Sequence, residues 1–393
     1  MAFAPLDGLR VVDVTTSFAG PFCTEILGAL GAEVLKVEPP GTGDEARTWG
    51  PPFFEGESTM FLTANANKRS VAVELRRGAS IVAGLAERAD VFIQSLRPGL
   101  AVERGLGSDD LHARNPRLVY CSIGGFGATG PLATRPGYDP LAQAAGGIIS
   151  VTGEAGGPGV RVGVSLVDQG TGMWAVLSIL AALTERERTG RGATIDLSLY
   201  ETAISLMGYH IAGYLASGAI PGGHGTAFPS IAPYQAFATS DGELMIAAAS
   251  DRLFAPLCEA IGLSRLPDDP RFATNSARVA NRDALAALIG EQIAGAPRAH
   301  WLEVFAAAKV PAAPVQDVRE VAEHPQTSAL GILSDLGGLP IAGLPFTVDG
   351  VRAAHRSAAP ALGNDTEAVL REAGYPVEKI SDLAAQGIVQ VSA

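Results

Sequence analysis

The alternation of segments at the start of the chain constrains the fold most. Leu9-Arg-Val-Val-Asp-Val is a short buried strand, residues 18–32 are a loop and helix, and Glu33-Val-Leu-Lys-Val-Glu is a second strand. Strand, helix and strand at this spacing predict a parallel α/β sheet. The pattern repeats. Lys68-Arg-Ser-Val-Ala-Val-Glu-Leu is a strand, residues 79–89 are helical, and Val91-Phe-Ile-Gln-Ser and Leu118-Val-Tyr-Cys-Ser-Ile are further strands. A Rossmann-like layer order with right-handed connections follows.

The chain then divides. An apolar helix beyond Asp168 ends at Arg186, Arg188 and Gly190, good stop signals. A strand (Ala193-Thr-Ile-Asp-Leu-Ser-Leu) and a helix (residues 200–216) follow. Residues 217–233, rich in Gly, Pro and His, read as a linker. Tyr234-Gln-Ala-Phe and Gly242-Glu-Leu-Met-Ile-Ala-Ala read as a β-hairpin turned by Ser240-Asp-Gly. Ala-, Leu- and Arg-rich helices complete a smaller α+β domain over residues 234–310, and residues 311–324 read as a second linker. The tail is too short for its own core, so the expected large domain is residues 1–216 with 325–393.

Several function classes drop out. The net charge of −12 argues against nucleic-acid partners. No run of 18 apolar residues is present, and Met173–Leu183 alone is too short for a bilayer, so no membrane association is expected. The first residues lack the basic and apolar regions of a secretory signal. Cys23, Cys121 and Cys258 are widely spaced, which suits a reducing compartment and a cytoplasmic location. The six histidines show no HxH or HExxH spacing, so no metal is expected. GxSxG and Walker A motifs are absent. Gly125-Phe-Gly-Ala-Thr-Gly130 matches GxGxxG, but Pro131 follows and no helix opens there to receive a pyrophosphate.

Asp168 remains. It stands where an apolar run meets a helix, with Gly170 and Gly172 beside it. An Asp there is an N-cap whose charge the helix dipole favours, and the glycines would leave room for a ligand. The plain reading is a cap alone.

A resemblance carries the reading further. Pro5-Leu-Asp-Gly-Leu-Arg-Val-Val-Asp, Leu30-Gly-Ala-Glu-Val-Leu-Lys-Val-Glu, Gly43-Asp-Glu-Ala-Arg, Asn67-Lys-Arg-Ser, Arg97-Pro-Gly, Arg135-Pro-Gly-Tyr-Asp, Asp168 and Arg188-Thr-Gly-Arg-Gly occur in an order that resembles the class III CoA-transferases, the CaiB/BaiF type. Within it, the succinyl-CoA:glutarate and related dicarboxylate branch is most similar, through Gly43-Asp-Glu-Ala-Arg-Thr-Trp-Gly-Pro-Pro, Ser230-Ile-Ala-Pro-Tyr-Gln-Ala-Phe and Thr274-Asn-Ser-Ala-Arg-Val-Ala-Asn-Arg. The resemblance implies a Rossmann-like large domain, a smaller domain, an interlocked ring-like homodimer, and Asp168 as nucleophile. It implies acyl-CoA and a carboxylic acid as substrates, with no tightly bound cofactor. Succinyl-CoA would be the donor and a C4–C6 dicarboxylate such as glutarate the acceptor.

By the same resemblance, CoA would contact Phe18, Ala19, Val73, Arg76, Ser95, Leu96, Arg97, Arg104, Arg135 and Tyr138. Arg76 and Arg97 would meet its phosphates. Gly222, Gly223 and Gly225 would belong to a loop over the intermediates, whose plain reading is a linker. Arg47 is a candidate for the substrate's distal carboxylate. The chain departs from the formyl-CoA branch at Pro39 and Glu103, where that branch has arginines, and at Phe18, where it has Gln. These departures point away from oxalate or formate. Two alternatives stand beside this reading. The α-methylacyl-CoA racemases have Gly-His-Asp where this chain has Gly137-Tyr138-Asp139, and Asp251 lies near their Glu. A non-catalytic acyl-CoA-binding protein would not need Asp168.

Overall fold

The structure is a computed structural model that describes residues 3–353 and 355–392. Strands β1 (Arg10–Val14), β2 (Glu33–Glu38), β3 (Lys68–Val73), β4 (Val91–Gln94), β5 (Val119–Gly124) and β6 (Ala193–Ser198) lie in the order β3-β2-β1-β4-β5-β6, every pair parallel. This is the Rossmann order, with its topological switch between β1 and β4. Val12 stands opposite Leu35 on one side and Phe92 on the other. All three are buried, as expected for strands covered on both faces. A C-terminal strand, Val389–Gln390, joins antiparallel beside β3, so the tail does complete this sheet.

Helix α1 (Ala19–Ala29) follows β1, and α2 (Leu75–Ala86) follows β3. Later come α3 (Asp139–Ala145), α4 (Leu166–Thr189), α5 (Leu199–Leu206) and α6 (Gly208–Ser217). Helix α4 corrects one expectation. It has 24 residues, and an 18-residue window within it has a mean hydropathy of 1.4, so by length and composition alone it is long enough to cross a membrane. One face packs on α1. A Cβ on Gly172 would lie 2.8 Å from the Ala19 carbonyl oxygen and 2.9 Å from the Phe22 ring, and one on Gly170 would lie 3.0 Å from Thr202 Cγ2. These glycines permit close helix packing rather than leaving ligand space, a second correction. Met173, Trp174 and Leu177, also on α4, are exposed.

The large unit comprises residues up to Ile148, Arg161–Ser217 and Ser328 onward; the small unit comprises Ile149–Val160 and Gly218–Thr327. The small unit contains the expected hairpin, β7 (Tyr234–Thr239) and β8 (Gly242–Ala247), with β9 (Ala312–Pro314) added antiparallel to β8. Within residues 311–324, read as a linker, Ala312–Pro314 complete this sheet and Val318–Glu323 form a short helix. Ile149–Val160 departs from the expected large domain because it is stitched to the small unit, where the Gly225 amide donates to the Gly153 carbonyl at 2.7 Å. Phe237, Leu244, Phe254, Phe272, Ile289 and Phe305 form the small unit's core.

Candidate active site

A cavity of about 840 Å³ opens at the carboxyl ends of β1, β4 and β5, beside the topological switch. Its walls are the turn after β1 (Thr16, Ser17), the first turn of α1 (Ala19, Gly20), the segment after β4 (Gln94–Val102), the glycine-rich segment after β5, and Asp168. The Gly125–Gly130 stretch is such a wall, not a dinucleotide turn. Its backbone presses on Gly137, where a Cβ at Gly125 would lie 2.6 Å from the Gly137 nitrogen. The amides of Ala19 and Gly20 open a helix and so have no helical acceptor.

Asp168 is the third residue of α4 and not its cap. The N-cap is Ser165, whose side chain makes no capping bond. Asp139 caps the helix from a distance. Its buried carboxylate accepts the Val167 amide at 2.9 Å and the Asp168 amide at 3.3 Å, both through Oδ2. Gln143 Nε2 donates to Asp139 Oδ1 at 2.6 Å, and Gln143 Oε1 accepts the Val162 amide at 2.9 Å. The remote carboxylate thus fixes the start of α4 and the backbone at Asp168.

That arrangement works against the charge that a helix start alone would favour. Burial, and then the negative charge of Asp139, push its carboxyl up to about 7, against a smaller opposing effect of Arg161. The group is therefore poised between its two forms at neutral pH.

The turn carrying Thr16 and Ser17 is anchored by buried charges. Asp44 accepts the Ser17 amide at 3.0 Å and pairs with Lys36 at 2.8 Å, and Lys36 also donates to the Thr15 carbonyl at 3.2 Å. Asp13 pairs with Lys68 at 3.1 Å, with both side chains fully buried. Ser17 adopts φ of 69°, a left-handed conformation unusual for serine, and the Asp44 bond secures it. Glu45 also reaches the cavity, where it accepts from Ser17 Oγ at 2.6 Å and from the Tyr138 hydroxyl at 3.4 Å. The charge of Glu45 raises the Tyr138 phenol further, so the phenol is unsuited to act as a base.

The cavity brings together Asp168, Ala19, Ser95, Leu96, Arg97, Arg135 and Tyr138. Phe18, Val73, Arg76, Arg104 and Arg47 are not among its lining residues. Phe18 is buried and stacks on Phe22. Val73 is fully buried in β3, paired with Val389, so it offers no surface to CoA. Arg76 is exposed at the start of α2, and Arg104 is half-buried after the short turn that Arg97 opens. Arg47 is buried, and four of its five N–H donors are spent on Glu38 (twice), Glu57 and the Pro360 carbonyl. It therefore stabilises a loop and is not placed to receive a substrate carboxylate. Gly222, Gly223 and Gly225 lie in the small unit, where the backbone of Gly223 packs against Gly153. Asp251 is held by the buried Arg278 at 2.6 Å, a structural pair within that unit.

Sequence reasoning missed Asp139, Glu45 and Ser17. Asp139 and Glu45 sat inside segments read for Tyr138 and Arg47, and the signal was an extra carboxylate in each.

Comparison with known proteins gives the family. The model of CoA-transferase family III matches residues 6–366. Succinyl-CoA:glutarate CoA-transferase of Mus musculus is 39% identical over 98% of this chain and 90% of its own length. Acetyl-CoA:oxalate CoA-transferase of Acetobacter aceti is 40% identical over 95% of this chain and 97% of its own. The crystal structure of a CaiB/BaiF family protein from Brucella suis superposes with a TM-score of 0.86 at 41% identity, covering 94% of this chain and 99% of that one. A Rossmann sheet with a carboxylate at its switch point and matches along nearly the whole chain lead to one assignment: the protein belongs to CoA-transferase family III.

Proposed function

We propose that the protein moves CoA from succinyl-CoA to a C4–C6 dicarboxylate such as glutarate, with Asp168 as the covalent relay. The observation that carries this reading is the half-buried Asp168 in the cavity, its charge destabilised by burial and by Asp139. A carboxylate that gains little from its surroundings is more basic and more nucleophilic. Ionised Asp168 attacks the thioester carbonyl, the C–S bond breaks, and CoA leaves as thiolate, giving a mixed anhydride. The thiolate attacks the Asp168 carbonyl, releases the donor acid and forms an aspartyl-CoA thioester. The acceptor carboxylate attacks that thioester and again releases thiolate. The thiolate takes the new acyl group and restores the Asp168 carboxylate. The amides of Ala19 and Gly20 are suited to stabilise the tetrahedral oxyanions.

CoA would run from Asp168 past Ala19, Ser95, Leu96 and Tyr138, with Arg97 and Arg135 near its phosphates. Arg76, exposed on the same carboxyl edge of the sheet, and Arg104 would meet its far end. The Gly222–Gly225 loop would shield the hydrolysable intermediates. The dicarboxylate acceptor is supported by the named specificity of the mouse relative. Overall identity does not rank glutarate above oxalate, since the Acetobacter relative is equally similar. The exposed Met173, Trp174 and Leu177 of α4, with Tyr209, Tyr214 and Leu215 of α6, support a homodimer that covers them. The three buried free thiols suit a reducing cytoplasm.

The test is a panel of carboxylic acids with succinyl-CoA, read by mass spectrometry, beside Asp168→Ala. New acyl-CoA products with dicarboxylates, lost in the variant, are expected. Transfer retained by the variant would refute the relay, and deuterium exchange at the acyl α-carbon without CoA exchange would indicate a racemase.

A further inference from the structure

We infer that Arg161 receives the distal carboxylate of the dicarboxylic acid and so sets the preference for diacids over monoacids. This rests on the dicarboxylate reading above and assigns it a residue. Arg161 stands at the start of the last segment before α4. Its Nε lies 3.7 Å from Asp139 Oδ1, and its Nη2 reaches the Gly163 carbonyl at 3.5 Å. Both contacts are at the long limit for directed bonds, and the side chain is 45% exposed. The guanidinium is loosely held and has donors to spare for a bidentate carboxylate.

Arg161 does not line the cavity itself; Asp139 links it to the start of α4, where the nucleophile stands. Asp139 bridges the two, with Oδ1 toward Arg161 and Oδ2 on the Asp168 amide at 3.3 Å. Arg161 is the basic group whose charge opposes burial and Asp139 at Asp168. An extended five-carbon diacid separates its carboxyl carbons by roughly 5 Å, and with one end at Asp168 the other would have to turn toward the Asp139 side of α4, where this guanidinium stands. The other candidate cations are engaged or elsewhere. Arg47 is spent on Glu38 and Glu57, and Arg97 and Arg135 line the wall proposed for CoA.

The test is competition between glutarate and valerate, equal in carbon number, for the CoA-loaded enzyme at fixed succinyl-CoA. Both acids meet the same intermediate, so the ratio of glutaryl-CoA to valeryl-CoA reads acceptor choice independently of the donor. Arg161→Gln is expected to lower that ratio about tenfold or more. Arg161→Lys should restore part of it, since an ammonium keeps the charge without the planar fork. A ratio unchanged in both variants, whatever the loss in total turnover, overturns the inference and leaves Arg161 as a positioning residue. A selective loss in Arg135→Gln instead also overturns it. If the unsubstituted enzyme makes no diacid thioester at all, the dicarboxylate reading itself fails, an outcome distinct from either.

Discussion

Two buried aspartates of the large unit behave in opposite ways. Asp13 is wholly enclosed, and burial alone would raise its carboxyl. Lys68, then Lys36, and hydrogen bonds from Thr15 and Thr24 outweigh that effect and hold it at about 2. Asp168 is less enclosed, yet it sits at about 7, because burial and the charge of Asp139 raise it more than Arg161 lowers it. Burial sets the stakes in both places, and the partners decide the sign. The paired site holds the Thr15–Ser17 turn still; the unpaired site keeps a reactive charge.

Breaking the unpaired site should have the largest effect. Asp168→Asn is expected to lower transferase turnover by at least ~10³-fold, measured by steady-state kinetics with succinyl-CoA. The same change should stabilise the protein at pH 8. The folded carboxyl titrates above its unfolded value, so between about pH 4 and 7 the native state holds more protons and loses stability as pH rises. Removing the group should recover on the order of 2 kcal/mol at pH 8 and almost nothing at pH 4, read from denaturant midpoints.

Next comes the paired site. Lys68→Met leaves Asp13 with Lys36 as its remaining cation and makes it resemble Asp168. A loss of ~3–5 kcal/mol in urea unfolding is expected. In the unsubstituted protein the sign is opposite to that of Asp168. The folded pKa of Asp13 is depressed, so its contribution is present above about pH 4 and fades as pH falls toward 2. Acid unfolding of wild type followed by circular dichroism should show this loss, and Asp13→Asn should remove that part of the pH dependence.

The comparison also shows what was legible in the sequence. The Rossmann half was, because each strand is a short apolar run set off by a helix, and periodicity records that directly. Asp168 was legible as the carboxylate at a helix start. Its capping partner was not, since Asp139 lies 29 residues away and the bond exists only after α3 and α4 meet. Arg47 misled for the same reason: nothing local announces that Glu38 and Glu57 consume its donors. Gly170 and Gly172 looked like open space, because a missing side chain reads alike whether a ligand or a helix fills its place. The β9 strand was hidden in a Pro- and Ala-rich run whose pairing with β8 is supplied by the small unit.

The smallest change sharpens the comparison. Asp139→Asn keeps the acceptor oxygen for the α4 amides but removes the like charge. The acid limb of the kcat/KM profile should move to lower pH, with a stability change of about 1 kcal/mol or less. An unmoved limb would mean that burial alone raises Asp168.

The central claim is that Asp168 carries CoA covalently. The direct measurement is acid quenching of the enzyme with succinyl-CoA before acceptor is added, followed by proteolysis and peptide mass spectrometry. CoA is expected as a thioester on the peptide containing Asp168, lost on adding glutarate and absent from Asp168→Asn. Turnover with no adduct on that peptide at any quench time, or an adduct on another residue, would contradict it.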